Sequence, residues 1–595
     1  MFILTADFNF VCENESYKSQ RSVECCVVCK GMYEFFYKAM KPLIYQIFTR
    51  LYGNDNKTNQ VGGTLAQNGC TKLKDITSGQ LTRISDFGFT HVWFTGLIEH
   101  ATQTDYSKFG IAVDHPSVVK GKAGSPYAIK DYYDIDPDLA VDIRHRMKEF
   151  ENLVRRTHRA GLKLIIDFVP NHVARQYKSD ACPQGVRDLG QDDDLSKAFH
   201  PQNNFYYVLG EKLHTPFDES DNEDSYVEQP AKVTGNDHFD AWPSVNDWYE
   251  TVKLNYGVDY QSGCAHCFDP IPSTWLKMTD ILLFWASKGV DAFRCDMAEM
   301  VPVEFWQYAI HEVKKTYPAI QFIAEVYNPN LYRSYIHSGF DYLYDKVGLY
   351  DTLRAIICGY QSASAITGCW QAVDDIREHM LNFLENHDEQ RIASDFFAGD
   401  ARKAKPALVV SSMMGNNPFM VYAGQELGEK GMDAEGFSGL DGRTTIFDYW
   451  SVPSLRKLTS KKYLSKFTPD EKALFLYYKQ VLNICRTEKA FNDGTFYDLQ
   501  YANYEGRGGY NPNHQYAFIR QSKDGKAFLI VANFSDVSVK VGVNIPIEAI
   551  DFHGLSIGER QAVDVLTGTP YRLDINPEQL LYVEIQAYDA VVLAL

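Results

Sequence analysis

No stretch of the sequence stays apolar for the roughly 18 residues that a membrane-spanning helix needs. Low-complexity tracts and short-period repeats are also missing, which excludes linker-like and solenoid architectures. Positive charge is in short supply. With 59 Lys and Arg against 77 Asp and Glu, the formal net charge is −18, so the chain lacks the basic surplus that neutralises nucleic-acid phosphates, and a neutral or cationic ligand is expected. The first twenty residues carry Asp7, Glu13 and Glu15 with only a short apolar run, unlike a basic-then-apolar signal peptide, and the expected location is therefore the cytoplasm. The 12 cysteines are accordingly read as reduced thiols. Two CxxC pairs, Cys26–Cys29 and Cys264–Cys267, lie too far apart and in too unlike surroundings to be read as one zinc site.

What is present is ordinary globular composition, 45% hydrophobic and 23% charged, in a chain long enough for more than one core. Residues 1–40 have no clear period and read as an N-terminal extension. From residue 41, short apolar runs alternate with segments of helical spacing, the mark of repeated β-α units around a parallel sheet. Eight runs are countable: Leu43 to Thr49, His91 to Thr95, Lys163 to Val169, Val290 to Cys295, Gln321 to Val326, Phe340 to Tyr344, Leu381 to Glu385 and Pro418 to Tyr422. Eight suits a closed (β/α)8 barrel over residues 41–490, and no GxGxxG fingerprint supports a dinucleotide fold. The connection at 171–270 is too long for a βα loop and implies an inserted subdomain. After a helical pattern from Glu471 to Lys489, alternating runs such as Tyr516–Ile519 and Phe528–Val531 flank Lys523-Asp-Gly525, and predict a C-terminal antiparallel β-sandwich over 491–595.

Carboxylates gather at the ends of the proposed strands. The third ends Asp167-Phe-Val-Pro-Asn171-His172, the fourth contains Phe293-Arg294-Cys295-Asp296, the fifth Ala324-Glu325 and the seventh Glu385-Asn386-His387-Asp388. Barrel strand ends converge on one face, so Asp296, Glu325 and Asp388 meet there although distant in sequence. Retaining glycoside hydrolysis asks for such a set: a carboxylate nucleophile, here Asp296, and a protonated acid, here Glu325, flanking an oxocarbenium-like transition state. Arg294, two residues before Asp296 and on the same side of the pleat, would keep the nucleophile ionised. Asp388 would hold sugar hydroxyls and favour positive charge at the anomeric carbon. Singly, each residue has a plain alternative as a helix cap, an ion-pair partner or a core aromatic. Jointly, independent caps would not reproduce four such segments in this order.

These segments resemble the signature regions of the α-amylase family, as do Gly88-Phe-Thr-His-Val-Trp93 and Tyr422-Ala-Gly-Gln-Glu426, and the resemblance spans most of residues 41–595. It implies that His172 and His387 contact the sugar at the cleavage subsite and that Tyr127, in Gly124-Ser-Pro-Tyr127, stacks beneath it. Two departures stand out. Lys253, in Thr251-Val-Lys253-Leu254-Asn255, stands where calcium-dependent members carry an aspartate ligand, a feature similar to the neopullulanase and cyclomaltodextrinase branch. That leaves Asn171 as the remaining candidate ligand, and no cofactor is expected. Glu299-Met300 replaces a Lys-His pair usual on the leaving-group side. The resemblance implies hydrolysis of α-1,4-glucans such as starch and maltooligosaccharides. Glucosyl transfer or isomerisation, and a non-catalytic glucan-binding protein on the same fold, are the alternatives.

Overall fold

The computed structural model describes residues 40–217 and 225–595. Residues 1–39 of the extension, with Cys26 and Cys29, lie outside the described residues. Residues 42–595 form one compact unit.

Its centre is a closed barrel of eight parallel strands: β1 (Leu43–Phe48), β2 (His91–Thr95), β3 (Lys163–Phe168), β4 (Ala292–Cys295), β5 (Gln321–Ala324), β6 (Tyr342–Tyr344), β7 (Met380–Phe383) and β8 (Phe419–Tyr422). Each neighbour pairs with the next, and β1 closes on β8 through Leu43 opposite Phe419. The eight runs read from the sequence are these eight strands, with ends that differ by at most two residues, and β7 begins one residue before its run, at Met380. They read as near-continuous apolar runs because both faces of a barrel strand are covered.

The two-residue period of a strand explains how an apolar barrel carries a polar mouth. Ile44, Trp93, Ile165, Ala292, Ile323, Tyr344, Leu381 and Met420, one from each strand, form a single buried cluster. Two residues further along four of the same strands stand Gln46, Thr95, Asp167 and Arg294, and Glu325 follows Ile323 just past the end of β5, all buried. The polar layer is thus the next layer of inward side chains, stacked on the apolar one. Outward side chains such as Tyr45, Val92, Leu164, Phe293 and Phe322 join the main core beneath the surrounding helices.

Among those helices are α1 (Ser78–Phe87), α2 (Arg146–Arg159), α3 (Ser273–Ser287), α4 (Val303–Thr316), α5 (Lys405–Met413) and α6 (Pro469–Thr487). α6 shows why the sequence folds locally as it does. Thr468 caps it by accepting the Glu471 N–H at 3.2 Å, and the Glu471 carboxylate accepts the Thr468 N–H at 2.8 Å. This reciprocal box starts the helix at Pro469, and its buried Leu474, Tyr478, Val481, Leu482 and Cys485 follow helical spacing.

The long connection after β3 holds little regular structure. Near its two ends His172–Ala174 pairs antiparallel with Thr251–Lys253. After α6 come β9 (Thr495–Asp498), β10 (Gln515–Gln521), β11 (Ala527–Asn533), β12 (Val539–Val543), β13 (Gly558–Asp564), β14 (Pro570–Ile575), β15 (Leu581–Ile585) and β16 (Asp589–Ala594). They make a six-stranded antiparallel sheet in the order β9-β10-β11-β16-β13-β14, faced by the ribbon β12-β15, with an apolar cluster of its own. Among the described residues no helix is long and apolar enough to cross a membrane. The eight described cysteines, Cys264 and Cys267 included, are free thiols.

Candidate active site

At the carboxyl ends of the strands lies a cleft of about 260 Å³ whose lining includes Tyr127, His172, Asp296, Glu325, Tyr327 and Asp388. Arg294 sits beneath them, 1% exposed, and one guanidinium serves two carboxylates. Its Nη1 donates to Asp296 Oδ1 at 2.6 Å, and its Nη2 lies 2.7 Å from Glu325 Oε2. Nη1 also stands 3.5 Å from Asp167 Oδ1, and Nε donates to the Tyr344 hydroxyl at 3.3 Å. The rings of Trp93, Tyr127 and Tyr344 surround the cation at 5.3, 5.5 and 5.5 Å from its central carbon, distances at which their π faces attract it.

Asp167 finishes this base. Its Oδ2 accepts Trp93 Nε1–H at 3.1 Å and the Gly96 N–H at 3.3 Å, so the residue ties the ends of β2 and β3 to Arg294. Glu325 Oε2 accepts the Met297 N–H at 2.8 Å, while Oε1 accepts the Tyr327 hydroxyl. Asp388 is placed by its own turn, where Asn386 Oδ1 accepts the Asp388 N–H at 2.8 Å, and by Arg443, whose Nε donates to the Asp388 carbonyl at 2.6 Å.

Negative groups outnumber the cation. Burial pushes the Asp296 carboxyl well above the ordinary carboxylate range; Arg294 opposes this, while Glu325 and Asp388 add to it. Burial and then Glu325 push Asp388 up to about 7. Burial pushes Asp167 up to about 6, with Arg294 working against it. The expectation that Arg294 simply holds Asp296 ionised is therefore modified. The contact exists, but desolvation and two neighbouring carboxylates offset it.

The two histidines differ in position. His172 lines the cleft with its ring 5.1 Å from that of Trp248, and burial, then Lys253, pulls it down to about 3. His387 is fully covered: its Nδ1 lies 2.8 Å from Gln46 Nε2, its Nε2 meets the Tyr127 hydroxyl and lies 3.1 Å from Asp388 Oδ2, and its ring stacks on Tyr127 at 5.3 Å. Burial and Arg294 hold it well below the usual histidine range. Both are thus neutral imidazoles, His172 in the wall and His387 behind it.

Lys253 is buried, on the strand that pairs with the residues following Asn171. Its Nζ donates to Asn171 Oδ1 at 2.9 Å, pairs with Asp237 Oδ1 at 2.5 Å and stands 5.2 Å from the centre of the Tyr260 ring. Asn171 in turn donates to the Gly235 carbonyl at 2.7 Å. Glu299, in the turn after Asp296, accepts the N–H groups of Tyr327 and Asn328 at 3.1 and 3.0 Å, so it fastens the loop after β5 to the loop after β4. Sequence reasoning gave no role to Asp167, Gln46, Met297 or Tyr327. Asp167 carried a signal, since it opens the segment ending Asn171-His172; Tyr327 carried none, because its partner is set by a loop conformation.

An eight-stranded parallel barrel with clustered carboxylates over its carboxyl end defines the architectural class. A family model described as alpha amylase, catalytic domain, matches residues 46–466, and the chain belongs to the α-amylase family of glycoside hydrolases. It is similar to Alpha-amylase 3 of Dictyoglomus thermophilum, 23% identical over 389 residues that cover 62% of this chain and 68% of that protein. A Cyclomaltodextrinase of Bacillus sp. is 24% identical over 497 residues, covering 82% and 72%. Among solved structures, a noncanonic maltogenic alpha-amylase from Thermotoga neapolitana shares the fold at a TM-score of 0.59 and 18% identity, covering 93% of this chain and 98% of that one.

Proposed function

We propose that the chain is a retaining hydrolase of α-1,4-linked glucans, acting on maltooligosaccharides or starch. Asp296 is the nucleophile and Glu325 the acid, then the base. Asp388 holds hydroxyls of the ring in the cleavage subsite, with Tyr127 beneath that ring and His172 at its side. The Arg294 fork carries this reading. It brings the nucleophile and the acid to the two ends of one guanidinium, which supports the facing pair of carboxyls that a retaining mechanism uses. It also leaves Asp296 Oδ2 without a protein hydrogen bond among the described residues, available for attack.

The test is the anomeric configuration of the first products from maltoheptaose, followed by proton NMR. Initial release of the α-anomer supports double displacement, and initial release of the β-anomer overturns it. A second reading, a neopullulanase-type preference for pullulan and cyclodextrin, is favoured by Lys253. Faster turnover of cyclodextrin and pullulan than of starch would establish it over the first.

Calcium does not fit the place where Lys253 stands. The ion takes 6–8 oxygen ligands, and the two side-chain oxygens here, those of Asn171 and Asp237, are engaged by an ammonium. The lysine supplies the positive charge between Asn171 and Asp237 at this place.

A further inference from the structure

Glu325 has two oxygens in unlike surroundings, and the mechanism needs a transferable proton on one of them. Oε2 accepts the Met297 N–H at 2.8 Å and lies 2.7 Å from Arg294 Nη2. Met297 reaches this position in the left-handed region, at φ 43° and ψ 42°, a conformation that costs a side-chain-bearing residue energy and is held by its surroundings. The Arg294 guanidinium beside Oε2 carries full positive charge and the Met297 N–H that donates to it is fixed by the backbone, so negative charge is stabilised on Oε2. Protonating Oε2 would set a proton against both. The proton belongs on Oε1, whose protein partner is the Tyr327 hydroxyl.

We propose that Tyr327 is a positioning residue that steers the Glu325 proton, holding Oε1 toward the glycosidic oxygen and donating to it whenever Glu325 is ionised. A phenol is suited to this because its O–H rotates: it donates to a carboxylate and accepts from or turns aside for a carboxylic acid. Burial and the charge of Glu325 push the Tyr327 phenol upward, so it stays neutral through the cycle. Its backbone is fixed by Glu299, which ties it to the turn that follows the nucleophile.

The proposal rests on Glu325 as the acid. In the first half-reaction the Oε1 proton passes to the glycosidic oxygen while the bond from that oxygen to C1 breaks and an Asp296 oxygen bonds to C1. The leaving sugar departs as an alcohol, and Glu325, now a carboxylate, receives the Tyr327 hydrogen bond. In the second, water gives a proton to Oε1 as its oxygen bonds to C1 and the bond from C1 to Asp296 breaks, which restores both carboxyl groups.

Tyr327→Phe keeps the ring and removes the hydroxyl. The experiment measures kcat/KM on two substrates: maltotetraose, whose leaving alcohol needs protonation, and α-maltotriosyl fluoride, whose leaving fluoride needs little. The expected result is a fall of roughly 10- to 100-fold on maltotetraose, the worth of one hydrogen bond to a charged group, and under about 3-fold on the fluoride. An equal fall on both substrates would reduce Tyr327 to a packing role, and no fall would remove it from the mechanism; either overturns the proposal. Glu325→Gln, measured in parallel, separates the two layers of argument. If it too fails to discriminate between the substrates, the assignment of Glu325 is wrong; if it discriminates and Tyr327→Phe does not, only the role of Tyr327 is wrong. Should Tyr327→Phe not fold, Glu299→Ala, which releases the Tyr327 backbone, is expected to show the same discrimination more weakly, and its absence there counts against the proposal.

Discussion

Arg294 and Lys253 are both buried cations, 1% and 2% exposed, yet their surroundings differ in kind. Arg294 faces Asp296, Glu325 and Asp167, with Asp388 close enough to raise the Asp296 carboxyl. Lys253 faces one carboxylate, Asp237, and one neutral amide oxygen. The first environment is short of positive charge and the second is balanced. A balanced pair, one partner buried and the other open to solvent, serves to join two pieces of chain, and breaking it leaves an acceptor without its cation. An unbalanced cluster strains against its own charge, which pushes the Asp296 and Asp388 carboxyls upward together.

The largest effects that would break this contrast come from the cluster. Asp296→Asn and Glu325→Gln are each expected to lower kcat on maltoheptaose by at least ~100-fold, the scale of a lost acid or nucleophile. Thermal midpoints should be unchanged or higher, because each variant removes one negative charge from a group short of positive charge. Calorimetry that showed both variants markedly destabilised would mean the cluster is structural after all.

Lys253→Ala should do the reverse. Asp237 is 41% exposed on its side chain, so solvent screening moderates the loss, and a cost of about 1–3 kcal/mol is expected, with turnover at 25 °C nearly retained. Adding a chelator to the parent enzyme should leave its midpoint in place. A chelator-induced loss that calcium restores would show that a metal, and not the ammonium alone, holds the stretch around Asn171 and Asp237.

The smallest and sharpest effect is one of pH. Asp388 has a folded value of about 7 against an ordinary 3.8. With the folded value raised, the native state binds the proton more tightly than the unfolded one, so this contribution is present in full below about 3.8 and is lost as pH rises through about 7. Asp388→Asn cannot lose it. Relative to the parent, the variant's midpoint should therefore climb from pH 4 to pH 7 and level off above. A difference independent of pH would place Asp388 outside the charge-crowded group.

Much of this was legible in the sequence, for a definite reason. The eight strands announce themselves because each is apolar on both faces, and the carboxylates because they fall where those runs stop. Asp296, Glu325 and Asp388 were found by their place at strand ends, which topology alone converts into proximity. The partners of Lys253 were half legible: Asn171 stood out in its motif, whereas Asp237 sits in an irregular stretch with no period to mark it. Tyr327 was invisible, because its hydroxyl meets Glu325 only through the course of the loop after β5. The rule is geometric: what regular structure imposes can be read ahead, and what two loops agree between themselves cannot.

The seam between β1 and β8 also has a bearing on how the protein comes into being. Gln46, which meets His387 beneath the cleft, lies on the first barrel strand, and that strand lacks one of its two neighbours until Tyr422 has been synthesised. Contacts so distant along the chain are slow to form, and a growing polypeptide leaves the ribosome from its N-terminal end. Through most of translation β1 therefore presents an open edge, the kind of surface that invites pairing with the wrong strand. Closure of the sheet waits on its last strand, and a chain ending before Phe419 leaves β1 with one edge unpaired.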